Sequence, residues 1–130
     1  MRKKHVLAVL FVSWMVFVAF SSLYSFEGDD LPSMNIPHAD KIVHFTFYFV
    51  AMILGSLFLL ELKSDRKDIL KKIKFLAILL ILFGIIIEVI QGALTVARSG
   101  DVLDAVANST GVALGFIAIL SIFYRQRGLK

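Results

Sequence analysis

Apolar residues dominate four stretches of the chain, and charged residues are concentrated between them. The four stretches are approximately residues 6–26, 42–62, 75–96 and 102–124. Each is close to the roughly 20 residues that a helix rising about 1.5 Å per residue needs to cross about 30 Å of hydrocarbon. Since open strand edges and irregular backbone cannot face lipid, the pattern predicts an all-α, polytopic membrane protein. We expect four transmembrane helices in a single domain, residues 1–130.

Composition supports a membrane protein and removes one class of chemistry. The chain is 58% hydrophobic and only 18% charged, whereas a soluble domain is about 45–50% apolar and about 25% charged. It contains no cysteine. A disulfide framework and a thiolate metal site are therefore excluded.

Lysine and arginine lie almost entirely on one side of the predicted arrangement. Of the fourteen, all but Lys41 and Arg98 occur before the first stretch, between the second and third, or after the fourth. The positive-inside rule then predicts both termini in the cytoplasm and the protein in the cytoplasmic membrane. The basic segment 63–74 is a topology signal that contacts anionic membrane lipids, and no nucleic-acid partner is expected.

The first stretch has a second interpretation. Residues 1–22 have the basic start, apolar middle and small residues of a cleavable signal peptide. The apolar run continues to Phe26, which is long for a signal core, so we favour a retained helix. Cleavage would leave the orientation of the other three helices unchanged.

Polar residues follow one face of each of the last three predicted helices, always toward the outer side. They are Asp40, His44 and Tyr48 in the second helix, Glu88 and Gln91 in the third, and Asp101, Asp104 and Asn108 in the fourth. An ionised side chain near the bilayer centre costs on the order of 2.5 kcal/mol or more unless it faces protein or water. The stripes therefore predict one outward-facing polar pocket between these helices, with Arg98 as its cation.

Glycines in the third and fourth helices offer small surfaces for close helix approach. They are Gly84, Gly92, Gly111 and Gly115. Gly111 and Gly115 have the Gly-x-x-x-Gly spacing whose usual meaning is helix packing. The same pair is also a candidate contact between copies in a homo-oligomer.

Several chemistries fit the predicted pocket. His44, Glu88 and Asp104 offer an imidazole and two carboxylates, which are compatible with a divalent metal or with acid–base catalysis on a bound headgroup. No cofactor motif, nucleophile elbow or phosphate-binding glycine loop is present. Thr95 and Ser99 are possible nucleophiles without an evident base. Asp101 is also suited to capping the fourth helix.

Two polar motifs resemble the signatures of the VanZ-like family of bacterial integral membrane proteins. "DKIVHFTFYFVAMILG" is similar to the family's Asp-Lys-x-x-His-Phe-x-x-Tyr, and "EVIQGALTVARSGDVLDAVANSTGVALG" is similar to its second signature. Most of residues 37–120 are covered. The matching positions are Asp40, Lys41, His44, Phe45, Tyr48, Glu88, Gln91, Arg98, Asp101, Asp104, Asn108 and Gly111.

The resemblance implies a function in the cell envelope, because the founding member of that family is associated with teicoplanin resistance. Our first hypothesis is that the pocket binds or transports a cell-envelope molecule, such as an envelope lipid or a glycopeptide-related ligand. A membrane-embedded enzyme that acts on a lipid or lipid-linked substrate is the alternative. A purely structural polar network is the third possibility.

Overall fold

The computed structural model describes residues 2–24, 38–94 and 101–125. Within these ranges the chain forms four α-helices and no strand: α1 (Arg2–Leu23), α2 (Ala39–Leu60), α3 (Arg66–Leu94) and α4 (Val102–Arg125). Each helix is long and apolar enough to cross a membrane. The all-α class and the four candidate membrane spans are thus confirmed for the described residues.

The third helix begins well before its apolar stretch. It starts at Arg66, whereas the hydropathy pattern placed the start at residue 75. Its first turns contain an exposed ion pair between Lys72 and Asp68 at 2.7 Å, and Ile69 and Ile73 are buried there. The hydropathy pattern marks the part of a helix that hydrocarbon can cover, so it missed this amphipathic beginning of α3. Helices α1 and α2 likewise begin earlier than residues 6 and 42.

The four helices alternate in direction, and the bundle has two chemically different ends. At one end Lys3 pairs with Glu61, and Arg66 donates to the carbonyl of Phe123 while stacking on its ring at 4.1 Å. We call this the basic end, because it gathers the start of α1, the segment 63–74 and the end of α4. The opposite end, called the acidic end, holds the start of α2, the end of α3 and the start of α4.

Helix α1 packs against α2 and α3. Trp14 Nε1 donates to the carbonyl oxygen of Phe47 at 2.9 Å, and Gln91 Nε2 donates to that of Ser22 at 2.9 Å. Val18 is buried in the same interface. Retention of this helix stays a prediction, and these contacts are those that a retained helix would make.

Helices α2 and α4 form the most extensive contact in the bundle. A Cβ atom at Gly111 would overlap the carbonyl oxygen of Phe45, and one at Gly115 would lie 2.9 Å from Met52 Cβ. Both glycines are buried. The Gly-x-x-x-Gly pair is therefore used inside the chain. Its suggested role in a contact between copies is wrong, because α2 already covers that surface.

We expect Gly111→Ala to lower the free energy of unfolding by about 1–3 kcal/mol, because the added methyl group meets backbone, which cannot rotate away. Thermal unfolding of the purified protein in detergent measures this. Gly92→Ala is the control, since Gly92 is an exposed glycine of α3. Equal melting temperatures for Gly111→Ala and the unmodified chain would contradict the close approach of α2 and α4.

Candidate functional site

Seven polar side chains from three helices meet at the acidic end. We call them the polar cluster: Asp40, Lys41 and His44 of α2, Glu88 of α3, and Asp101, Asp104 and Asn108 at the start of α4. Their helical spacing turns them to one side of each helix, as the sequence predicted. Among the described residues, the polar stripes of the three helices therefore converge.

Lys41 is the cation of the polar cluster. Its Nζ lies 2.8 Å from Asp101 Oδ2, 3.0 Å from Asp104 Oδ1 and 3.2 Å from Asp40 Oδ2. Sequence reasoning assigned this role to Arg98, which lies outside the described residues together with Thr95 and Ser99. The sequence nevertheless contained an indication that Lys41 belongs to the site, because Lys41 is one of the positions that match the first VanZ-like signature.

Asp101 has two functions in this arrangement. Its Oδ1 accepts a hydrogen bond from the backbone N–H of Leu103 at 2.8 Å, which caps the start of α4. Its other oxygen accepts from Lys41. The hydrogen bond from Lys41 is the main reason that the pKa of the Asp101 carboxyl lies below its usual value, and the Leu103 N–H adds to the effect. The capping that the sequence suggested for Asp101 thus occurs together with an ion pair to Lys41.

A directed chain of hydrogen bonds connects α2 to α3 through α4. Asn108 Nδ2 donates to Glu88 Oε1 at 3.3 Å, so the amide oxygen of Asn108 is free to accept. His44 Nδ1 lies 3.1 Å from that oxygen and therefore carries the proton. In a neutral imidazole, Nε2 then has a lone pair, and it faces Asp104 Oδ2 at 3.8 Å.

Two buried oxygens of the site have no hydrogen-bond partner among the described residues. They are Glu88 Oε2 and the hydroxyl oxygen of Tyr48. Glu88 is only 6% exposed, and Tyr48 lies one turn deeper than His44. The Tyr48 ring packs beside Gly84, where a Cβ atom would lie 3.2 Å from the ring. Glu88 thus presents half of its carboxylate unpaired inside the bundle.

Gln91 makes a contact that the sequence did not anticipate. Its amide donates to the Ser22 carbonyl of α1. Gln91 therefore links α3 to the first helix, which was left out of the predicted pocket.

A groove between α3 and α4 leads to the polar cluster from the side of the bundle. Its volume is about 330 Å³. We define it by its lining residues: Ile85, Glu88, Val89, Gly92, Asp101, Val102 and Ala105. Val89 and Val102 are among the most exposed apolar side chains of the described residues, at 66% and 77%. In a membrane these walls face lipid, so the groove joins lipid to the carboxylates of Glu88 and Asp101.

Two sets of three side chains have the composition and proximity of metal ligands. In each set, one ligand atom per residue lies within 4.8 Å of the other two. The exposed set is Asp40, Asp101 and Asp104, and the Lys41 ammonium already sits among these carboxylates. The buried set, His44, Glu88 and Asp104, is called the buried trio. It matches the metal candidates that the sequence suggested.

No hydroxyl group of the described residues hydrogen bonds to His44. Thr46, Ser109 and Thr110 instead donate to backbone carbonyls of their own helices. The polar groups that the described part of the site brings together are carboxylate, imidazole, amide and ammonium groups.

The fold and site define a helical protein with four candidate membrane spans and a polar cluster at one end of the bundle. No family model, no curated protein and no solved structure matches this chain. The similarity to the VanZ-like signatures therefore stays a resemblance of motifs.

We expect Lys41→Met to lower the melting temperature by several degrees, because it leaves three neighbouring carboxylates without their cation. Lys72→Met is the matched control. Its partner Asp68 is half exposed at the basic end, and exposed pairs contribute little to stability. Equal shifts for the two variants would contradict a central role for Lys41.

Low pH should weaken the Lys41–Asp101 contact. The folded-state pKa of Asp101 is depressed, so its stabilisation is complete above the ordinary aspartate pKa of about 4 and is lost as the pH falls through the folded value. Asp101→Asn keeps a capping side chain but removes the charge. The stability difference between the unmodified chain and this variant should therefore shrink between pH 5 and the folded pKa, roughly as linkage requires. If the stability of the unmodified chain and that of Asp101→Asn changed with pH in the same way, the proposed contribution of the Lys41–Asp101 contact would be contradicted.

Proposed function

We propose that this protein binds the headgroup of a cell-envelope lipid, with an acyl chain of the lipid in the groove between α3 and α4. The observation that carries the proposal is the groove itself, whose mostly apolar lining includes the two acidic residues Glu88 and Asp101. A ligand that reaches this site from lipid has an apolar part and a polar part. The groove likewise has an apolar part and a polar part.

The charges of the polar cluster favour a particular kind of headgroup. Among the described residues, the polar cluster contains four carboxylates and one ammonium group, that of Lys41, which contacts three of them. Ionised carboxylates only accept hydrogen bonds. We therefore expect a headgroup that donates, through an amine or through hydroxyl groups, and we expect an unsubstituted phosphate to be repelled.

The membrane orientation is part of the proposal. The lysines and arginines of the basic end favour the cytoplasmic side by the positive-inside rule. The acidic end then lies in the outer half of a bacterial cytoplasmic membrane, with both termini in the cytoplasm. An outer-leaflet lipid would enter the groove laterally, without crossing the bilayer.

The resemblance to VanZ-like proteins connects this activity to the cell envelope. A protein that binds an outer-leaflet lipid acts in the layer where glycopeptides act. Susceptibility to teicoplanin-type glycopeptides is accordingly the phenotype that we propose to examine in cells with and without the protein.

Native mass spectrometry of the purified protein tests the proposal with lipids that differ in their headgroups. We expect phosphatidylethanolamine or a glycosyl diacylglycerol to remain bound in preference to phosphatidic acid of the same chain length. Glu88→Gln should reduce the bound fraction about tenfold, since a hydrogen bond to a charged group contributes about 1.5–3 kcal/mol.

A second pair of variants separates the groove from the polar cluster. Gly92→Leu fills the groove without changing a polar group and should also reduce lipid binding. Ala113→Leu adds similar bulk at an exposed position of α4 outside the groove and should not. Equal retention of all three lipids, or equal binding by Gly92→Leu and Ala113→Leu, would contradict the proposal. Loss of folded protein in Glu88→Gln, with lipid binding unaffected by Gly92→Leu, would favour a structural network.

A further inference from the structure

The two carboxylates of the buried trio have few cationic partners among the described residues. Glu88 and Asp104 are 6% and 8% exposed, and His44 is 5% exposed. Lys41 contacts Asp104 through Oδ1 only, at 3.0 Å, and Glu88 has no lysine or arginine partner among the described residues. A carboxylate at this depth is costly unless it is paired. Within the described residues, the remaining positive charge would come from a protonated His44, 3.5 Å from Glu88 and 3.8 Å from Asp104, or from a bound ion in its place.

The unpaired oxygen of Glu88, Oε2, offers a binding atom for such an ion. The other oxygen of the same carboxylate lies 3.5 Å from His44 Nδ1 and 3.3 Å from Asn108 Nδ2, so the group is directed at the cluster. Oε2 is buried and has no hydrogen-bond partner within 3.5 Å among the described residues. It is therefore an available ligand atom. This observation does not depend on how many acidic residues lie nearby.

His44 is oriented as metal-binding histidines are. Such histidines commonly donate the N–H of one ring nitrogen to a neighbouring oxygen and bind the metal through the other. Here Nδ1 lies 3.1 Å from Asn108 Oδ1, and in the neutral imidazole that donates to this oxygen the lone pair is on Nε2, 3.8 Å from Asp104 Oδ2. Asn108 thus occupies the place of the supporting residue.

We propose that His44, Glu88 and Asp104 bind one divalent transition-metal ion of the Zn²⁺ type, with Asn108 as a positioning residue. An imidazole with two carboxylates suits Zn²⁺ better than Mg²⁺ or Ca²⁺, which take oxygen ligands. Ligand atoms around a four-coordinate zinc ion lie roughly 3.3 Å apart. The ion would draw together atoms that now lie within 4.8 Å of one another.

The exposed acidic set is not the proposed site, and an exposed histidine at the same end of the bundle supplies the control. Asp40 and Asp101 belong only to the set that the Lys41 ammonium occupies. His38 is an exposed histidine just before α2. Substitution of His38 removes a plausible surface ligand from the same end of the bundle and leaves the buried trio intact.

Calorimetric titration with Zn²⁺ tests the proposal on untagged, full-length protein in detergent after treatment with a chelator. We expect one ion per chain. His44→Gln and Asp104→Asn should weaken binding at least roughly tenfold, and Asn108→Ala should weaken it about 10–100-fold while leaving one ion bound at high concentration. His38→Gln should stay within about twofold of the unmodified chain, and a tenfold excess of Ca²⁺ over Zn²⁺ should not displace Zn²⁺.

Three results would overturn the metal site. They are no stoichiometric binding by the unmodified chain, equal loss in His38→Gln and His44→Gln, and displacement of Zn²⁺ by Ca²⁺. Should the trio variants elute as aggregates, Co²⁺ absorption on the unmodified chain decides: a spectrum with nitrogen and oxygen ligands supports the site, and that of the hydrated ion refutes it.

The inference does not depend on lipid binding. Gly92→Leu fills the groove but leaves the buried trio unchanged, so zinc titration of this variant should match the unmodified chain. Failure of the lipid experiment with normal zinc binding would refute the proposed function alone, and the reverse would refute the metal site alone.

Discussion

The close approach of α2 and α4 is the constraint on which the polar cluster depends. At Gly111 the backbone of α4 is so near the carbonyl group of Phe45 that no side chain fits between them. His44 immediately precedes Phe45, and Asn108 lies one turn before Gly111. The two side chains are thereby brought to hydrogen-bonding distance, 3.1 Å. A larger residue at Gly111 would separate α2 from α4 and would lengthen every bond that crosses this interface.

The two ends of the bundle use charge differently. At the basic end, Lys3 and Glu61 form an exposed pair, and so do Lys72 and Asp68. Such pairs contribute little, and apolar burial of residues such as Ile73 supplies the stability there. At the acidic end, Glu88, Asp104 and His44 are buried, and the charged groups are connected across three helices. Replacing buried charges by apolar side chains is often neutral or stabilising, and an ionisable residue within a membrane span is by default a candidate for function, which is why we propose a ligand here.

The sequence predicted which residues belong to the polar cluster more reliably than it predicted which of their side chains contact one another. The helical spacing of Asp40 and His44, and of Asp104 and Asn108, placed each pair on one face, which is a local property of one helix. The sequence did not predict Lys41 as a cation of the site, because that role depends on distances between helices, and the assignment to Arg98 stays a prediction outside the described residues. Lys41 and Arg98 both lie near the outer end by sequence, and only the packing of α2 against α4 brings Lys41 to Asp101.

The same limit explains the other differences between the sequence and the structure. From the sequence, Gly111 and Gly115 fitted both helix packing within the chain and a contact between copies. In the structure, α2 covers both glycines. The start of α3 was missed because Ile69 and Ile73 are buried by tertiary contacts while their neighbours are charged. Gln91 was assigned to the pocket from its position near Glu88, and its bond to Ser22 depends on where α1 lies.

The groove and the buried trio share a single residue of the described chain, Glu88. Its Oε1 belongs to the hydrogen-bond chain that ends at His44, while Oε2 has no partner. An ion on Oε2 and a lipid headgroup on the same oxygen would compete. If both proposals hold, bound zinc should therefore weaken the binding of a headgroup that donates to this oxygen.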